Sequence, residues 1–167
     1  MLEEQATMSD SSSLIVESFF DEATSIFSHI VLDTATMHCA LVDTVLDFDP
    51  KSGRTSTTSA DCLVARVLEI GASAQWLLET HVHADHLSAA PYLQRRLGGK
   101  IGIGSRIVQV QETFGKLFNA GAEFQRDGSQ FDSLFEDGDS FDNVRAGRFL
   151  PAEDNGVRCL KIPVDAL

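Results

Sequence analysis

Cysteine is scarce in this chain: three residues in 167, at positions 39, 62 and 159, with no Cys-x-x-Cys pair. So odd and scattered a set excludes a disulfide-stapled scaffold and fits free thiols in a reducing compartment. Cys39 lies on an apolar strand and Cys62 among Leu63, Val64 and Val67, so core packing is expected for these two and for Cys159. Basic residues are also few. Thirteen Lys and Arg stand against 25 Asp and Glu, a net charge of −12. The basic footprint that nucleic acid or an anionic membrane surface requires is therefore missing. No apolar run approaches the length of a transmembrane helix. Residues 1–13 are acidic and serine-rich, with neither the apolar stretch of a secretory signal nor the arginine pattern of a transit peptide. They are expected to be a disordered tail, and a cytoplasmic location is expected, with the mitochondrion as the alternative. Two phosphate-binding motifs fall short as well. Gly98-Gly99-Lys100 lacks the following hydroxyl residue, and Gly102-x-Gly104 lacks a third glycine. Tight turning explains both more simply.

What the chain does have is the hexapeptide His81-Val82-His83-Ala84-Asp85-His86, which holds three of the chain's five histidines. Imidazole and carboxylate are the donors that zinc and iron prefer. The preceding run Ala74–Thr80 suits a buried strand. After it, Leu87, Ala90, Leu93 and Leu97 recur at helical spacing, with Pro91 in the first turn where a missing N–H costs little. The motif thus sits where a strand hands over to a helix. Side chains at i and i+2 of an extended segment point the same way, so His81 and His83 can grip one ion. Asp85 and His86 can then face a neighbouring ion or support the first.

Around the motif, strands and helices alternate. Leu14–Phe20, Ile26–Leu32 and Cys39–Leu46 read as strands, the last two joined by a turn at residues 33–36 in an antiparallel opening. Residues 47–59 read as a polar loop, and residues 59–70 as a helix stopped by Gly71. Lys100–Ile103 reads as a strand. Ile107, Val110, Gln111, Phe114, Leu117 and Phe118 trace an amphipathic helix. Residues 119–142 read as loop or short strand, with final strands at 148–150 and 157–162. One domain is expected from residue 14 to residue 167.

The motif resembles the signature of the metallo-β-lactamase superfamily. The text at Asp43–Arg54, Glu79–Ala90, Gly98–Gly104 and Asp127–Asp132 is similar to its persulfide dioxygenase branch, relatives of glyoxalase II. The resemblance implies an α/β (α+β) fold, an αββα sandwich of two sheets between outer helices, of which this chain carries the first half. It implies an Fe(2+) enzyme that oxidises glutathione persulfide with molecular oxygen to sulfite and glutathione, in sulfide metabolism. The expected metal residues are His81, His83, Asp85 and His86. In the family an aspartate at the position of Asp43 supports the metal-binding loop; an aspartate at a strand end is otherwise a turn or cap residue. Lys51, Arg54 and Arg95, basic residues in an acidic chain, are expected either to meet glutathione carboxylates or to be ordinary surface charge.

The pattern breaks near the end. The family places a further histidine in a Gly-His-Thr context after a later strand, and an aspartate beyond it. Here Val164-Asp165-Ala166-Leu167 stands in that place, and Asp165 is a conceivable carboxylate in an unmatched context. His29 and His38 lie in the opening strands without motif support. A chain truncated in this way is expected to be weak or inactive alone, and to expose a sheet face that promotes homo-oligomers or aggregation. Two other readings stay open: a glyoxalase II-like thioester hydrolase with one or two Zn(2+) or iron ions, and a non-catalytic truncated product.

Overall fold

The computed structural model describes residues 14–121, 123–141, 148–149 and 160–161. The disordered tail expected at residues 1–13, the packing of Cys159 and the carboxylate of Asp165 lie outside these residues.

The chain opens with β1 (Leu14–Asp21), β2 (Ile26–Asp33) and β3 (His38–Val42), paired antiparallel in that order. The sheet then turns parallel through β6 (Ser73–Leu78), β8 (Lys100–Gly104) and β9 (Ser133–Phe135), giving the order β1-β2-β3-β6-β8-β9. Between β3 and β6 the chain forms β4 (Val45–Asp49), β5 (Arg54–Ser56) and α1 (Thr58–Glu69); between β6 and β8 it forms β7 (Leu87–Ser88) and α2 (Ala90–Leu97). Helix α3 (Ile107–Leu117) joins β8 to β9. A short pair, β10 (Arg148–Phe149) and β11 (Leu160–Lys161), closes the described chain.

Strand alternation sorts the core into two layers. Ile30, Leu32, Cys39, Leu41, Leu77 and Ile101 pack with Leu63, Val64 and Val67 of α1 and Leu93 of α2. Val31, Ala40, Val42, Trp76 and Leu78 point the other way and pack with Phe135 and Phe141. This second layer corrects one expectation. The face expected to lie bare is buried at Val31, Ala40, Val42, Trp76 and Leu78, where Phe135, from β9 of the same sheet, and Phe141 stand 5.3 and 5.9 Å from Trp76, ring centroid to ring centroid. Among the described residues, exposed apolar side chains include Phe114 and Leu117 of α3, Phe118 just beyond it, Leu68 of α1, Phe48 of β4, and Phe20 and Phe27 of the β1–β2 hairpin. The apolar stripe of α3 is therefore only partly inward, with Ile107, Gln111 and Gly115 as its buried positions.

Several boundaries differ from the pattern reading, each for a local reason. The run Cys39–Leu46 is two strands, because Asp43 adopts φ +50° and turns the chain out of the sheet. The loop at 47–59 contains the β4–β5 hairpin and the start of α1. Asp47 on β4 caps that helix: its carboxylate accepts the Ser59 N–H at 3.1 Å and the Ser59 hydroxyl at 2.5 Å. Leu87 is exposed on β7 and pairs with Leu46, so α2 begins only at Ala90. Cys62 is exposed, since it sits one residue, about 100° of helix, away from the inward Leu63. Cys39 is fully buried, and burial pushes its thiol up to about 11. Gly98 and Gly99 are turn glycines at φ +79° and +86°. Gly102 is not: it lies in β8, and a Cβ there would stand 2.5 Å from Phe135 Cε2. No helix among the described residues is long and apolar enough to cross a membrane.

Candidate metal centre

The hexapeptide leaves the carboxyl end of β6 beside the carboxyl end of its parallel neighbour β3. Functional loops of open parallel sheets gather at such ends. Asp43 is the first residue beyond β3, and its N–H donates to Leu78 O at 2.9 Å. The left-handed turn at Asp43 aims its side chain back across the end of β6. Asp43 Oδ1 accepts the Thr80 N–H at 2.7 Å and the His83 Nε2–H at 3.0 Å, while Oδ2 accepts the Thr80 hydroxyl at 2.7 Å. Both carboxylate oxygens are thereby engaged, which fits Asp43 as the support of the histidine loop. Burial pushes the Asp43 carboxyl up, but the bonds from His83 and Thr80 outweigh it and hold the group below its ordinary range.

These partners also settle which ring nitrogens are free. The Thr80 hydroxyl gives its proton to Asp43, so at 2.8 Å it can only accept from His81 Nδ1–H. His81 Nε2 then carries the available lone pair. In His83 the partner is on Nε2, leaving Nδ1 buried and unpartnered. His86 is further in: its side chain is 0% exposed and neither ring nitrogen has a hydrogen bond. The three rings stand in a row, with centroids 4.3 Å apart for His81–His83 and 4.1 Å for His83–His86. One donor atom each from Asp43, His81 and His83 lies within 4.8 Å of the others, and the same holds for His83, Asp85 and His86. Asp85 Oδ1 is 3.4 Å from His86 Nδ1 and 4.0 Å from His83 Nδ1.

Burial lowers the basicity of His83, but the carboxylates of Asp43 and Glu79 outweigh it and raise the imidazole to about 9. Burial and the neighbouring His83 charge push His86 down. Buried imidazole nitrogens without partners cost free energy unless something fills their coordination. A divalent ion does so, and the donor set of nitrogens with a carboxylate is one that zinc and iron accept. The residues fit a metal ion.

The other sequence candidates stand apart from this cluster. Lys51 and Arg54 are exposed on the β4–β5 hairpin, where Arg54 borders an open cavity of about 420 Å³ shared with Asp21, Asp47 and Asp49. His29 Nδ1 pairs with the Ser18 hydroxyl at 2.9 Å, and His38 lies at the start of β3. Sequence reasoning passed over Thr80, Glu79 and Ser88. The signal available was a carboxylate placed directly after an apolar strand.

No protein-family model matches the chain. Over 127 residues it is 61% identical to a "probable metallo-hydrolase" of Burkholderia pseudomallei, covering 76% of this chain and 43% of that protein. The fold resembles a metallo-beta-lactamase from Staphylococcus aureus with a TM-score of 0.60 at 14% identity, over 90% of this chain and 38% of the other. The fold is that of the metallo-β-lactamase superfamily. Glyoxylase B2 of Dictyostelium discoideum is 45% identical over 67% of this chain and 39% of its own length. The mitochondrial persulfide dioxygenase ETHE1 of Homo sapiens is 24% identical over 81% of this chain and 41% of its own. The structure of ETHE1 from Myxococcus xanthus matches with a TM-score of 0.57 at 23% identity, over 87% of this chain and 53% of that one. The chain spans less than half the length of each of these three curated relatives.

Proposed function

We propose that this chain supplies the first metal-binding half of an enzyme that oxidises glutathione persulfide with oxygen and water to sulfite and glutathione. The observation that carries the metal role is the row of imidazoles whose His81 Nε2, His83 Nδ1 and His86 nitrogens have no hydrogen-bond partner among the described residues, an ion taking the place of the His83 Nδ1 proton. His81 and His83 are assigned to a ferrous ion, with Asp85 and His86 beside it. Asp43 holds His83 and, through Thr80, His81 in the donor orientation. Iron, when bound, supplies the means for oxygen to react with a closed-shell sulfur. The protein's part is to orient the persulfide and shield the reacting sulfur from bulk water. Lys51 and Arg54 are assigned to the glutathione carboxylates, on a hairpin exposed enough to receive them. The persulfide reading rests on similarity to ETHE1; the metal reading rests on the donor geometry.

A second reading is favoured by a specific feature. Asp85 and His86 form an acid–imidazole pair that a one-ion site leaves unused. Together with the likeness to glyoxylase B2, this supports a two-ion hydrolase acting on a glutathione thioester. Two assays on one preparation separate the readings. Oxygen uptake with glutathione persulfide and added ferrous iron, lost in His81→Ala, supports the first. Hydrolysis of S-lactoylglutathione with zinc, lost in His86→Ala and without oxygen uptake, overturns it in favour of the second. Metal binding without either activity means that catalysis does not reside in this chain.

A further inference from the structure

Glu79 is a buried acid that the metal reading does not use. It follows the last residue of β6, and its N–H donates to Gly102 O at 3.0 Å, which fixes its backbone at the sheet end. Its side chain is 6% exposed, as is that of His83. Glu79 Oε1 accepts the hydroxyl proton of Ser88. The same Ser88 oxygen accepts the Ala90 N–H at 3.1 Å, at the first turn of α2. Glu79 Oε2 is different. It lies 3.2 Å from His83 Nε2 yet has no hydrogen bond, because the single proton on that nitrogen is directed to Asp43 at 3.0 Å.

Two carboxylates therefore converge on one imidazole N–H from neighbouring parallel strands: Asp43 beyond β3 and Glu79 beyond β6. A buried carboxylate oxygen without a partner is costly. The cost is offset when an ion takes the place of the Nδ1 proton, since it polarises Nε2–H toward its acceptors and holds the ring in place. Carboxylate–imidazole–metal arrangements raise donor strength and fix the ring. We propose that Glu79 is a positioning residue for the metal centre, a second carboxylate partner of His83 Nε2 that acts through the ring and ties its orientation to the start of α2 through Ser88. The proposal rests on His83 being a ligand, as assigned above.

The test uses the full chain and the metal alone. Zn(2+) affinity is read by competition with a chromophoric chelator, and geometry by the visible absorption of the Co(2+)-loaded chain. Glu79→Gln keeps shape and hydrogen-bonding capacity but removes the charge. It is expected to weaken Zn(2+) binding about 10- to 100-fold, as loss of such outer partners does, and to shift the Co(2+) bands. Ser88→Ala frees Glu79 Oε1 without touching the charge and should weaken binding in the same direction by less. Circular dichroism checks folding of each variant; should Glu79→Gln fail to fold, Ser88→Ala and Glu79→Asp carry the test. Failure of the unsubstituted chain to bind Zn(2+) overturns the ligand assignment itself. Binding in that chain, lost in His83→Ala but matched within twofold with unchanged Co(2+) bands in the folded Glu79 and Ser88 variants, overturns the role of Glu79 alone.

Discussion

Replacing Asp43 separates three contributions that the fold places on one residue. Its carboxylate takes the Thr80 N–H and hydroxyl and the His83 Nε2–H, and its backbone sits at φ +50°. Asp43→Ala strands the Thr80 N–H, about 1–3 kcal/mol, and asks alanine to hold a left-handed conformation, about 1–2 kcal/mol more. Asp43→Gly loses the same hydrogen bonds but tolerates the turn. Asp43→Asn tolerates the turn and still accepts the Thr80 N–H, so it should cost about 1 kcal/mol, the difference between charged and neutral acceptors. The expected order of destabilisation is Ala, then Gly, then Asn. Urea unfolding of chelator-treated protein reads this order without a metal contribution. The pH dependence adds a sign. The folded carboxyl is held below its ordinary range. Its contribution is therefore complete above the unfolded value of about 3.9 and is lost as pH falls through the lower folded value. Asp43→Asn should show no such loss. An alanine variant within about 0.5 kcal/mol of the natural chain, the usual range for surface substitutions, would refute the claim that Asp43 anchors the loop.

Other expectations follow from single contacts. Arg66 on α1 grips Glu17 on β1 through two bonds of 2.7 Å, and its hydrogen bond holds the Glu17 carboxyl below its ordinary range despite a small opposing effect of burial. Glu17→Gln should therefore lower stability slightly at neutral pH. The difference should vanish as acid protonates the natural residue below its folded value, which pH-resolved urea melts would show. Gly102→Ala drives a Cβ to 2.5 Å from Phe135 Cε2 and 3.2 Å from Leu78 Cδ2, so it should cost about 1–3 kcal/mol by overpacking. A thermal melt unchanged by Gly102→Ala would mean that the second core layer is loose.

Much of the fold was legible because periodicity and punctuation agree in this chain. Ile30, Leu32, Cys39 and Leu41 alternate with Val31, Ala40 and Val42, and the two sets face opposite layers as a period of two requires. Pro91 and Gly71 mark where α2 starts and α1 ends. The break at Asp43 was not legible, since Cys39–Leu46 reads as one apolar run and the turn is held by tertiary bonds, from Asp43 N–H to Leu78 O and from Thr80 and His83 to the Asp43 carboxylate. The same holds for Asp47, which caps a helix 12 residues onward. At the centre, the hexapeptide identified His81, His83, Asp85 and His86 as neighbours by spacing alone. Spacing could not show that His83 stands in the middle of the row, nor that Glu79 reaches it, because both depend on how β3 and β6 align.

The central claim is that this chain binds a metal ion through its imidazole row. Elemental analysis of the purified chain beside its His83→Ala variant, both dialysed against trace zinc and iron, tests it most directly. His83 belongs to both candidate donor groups, so its removal should abolish tight binding at once. The account predicts at least one equivalent of metal in the natural chain and a background level in the variant. Equal metal in the two, or none in either, would contradict it.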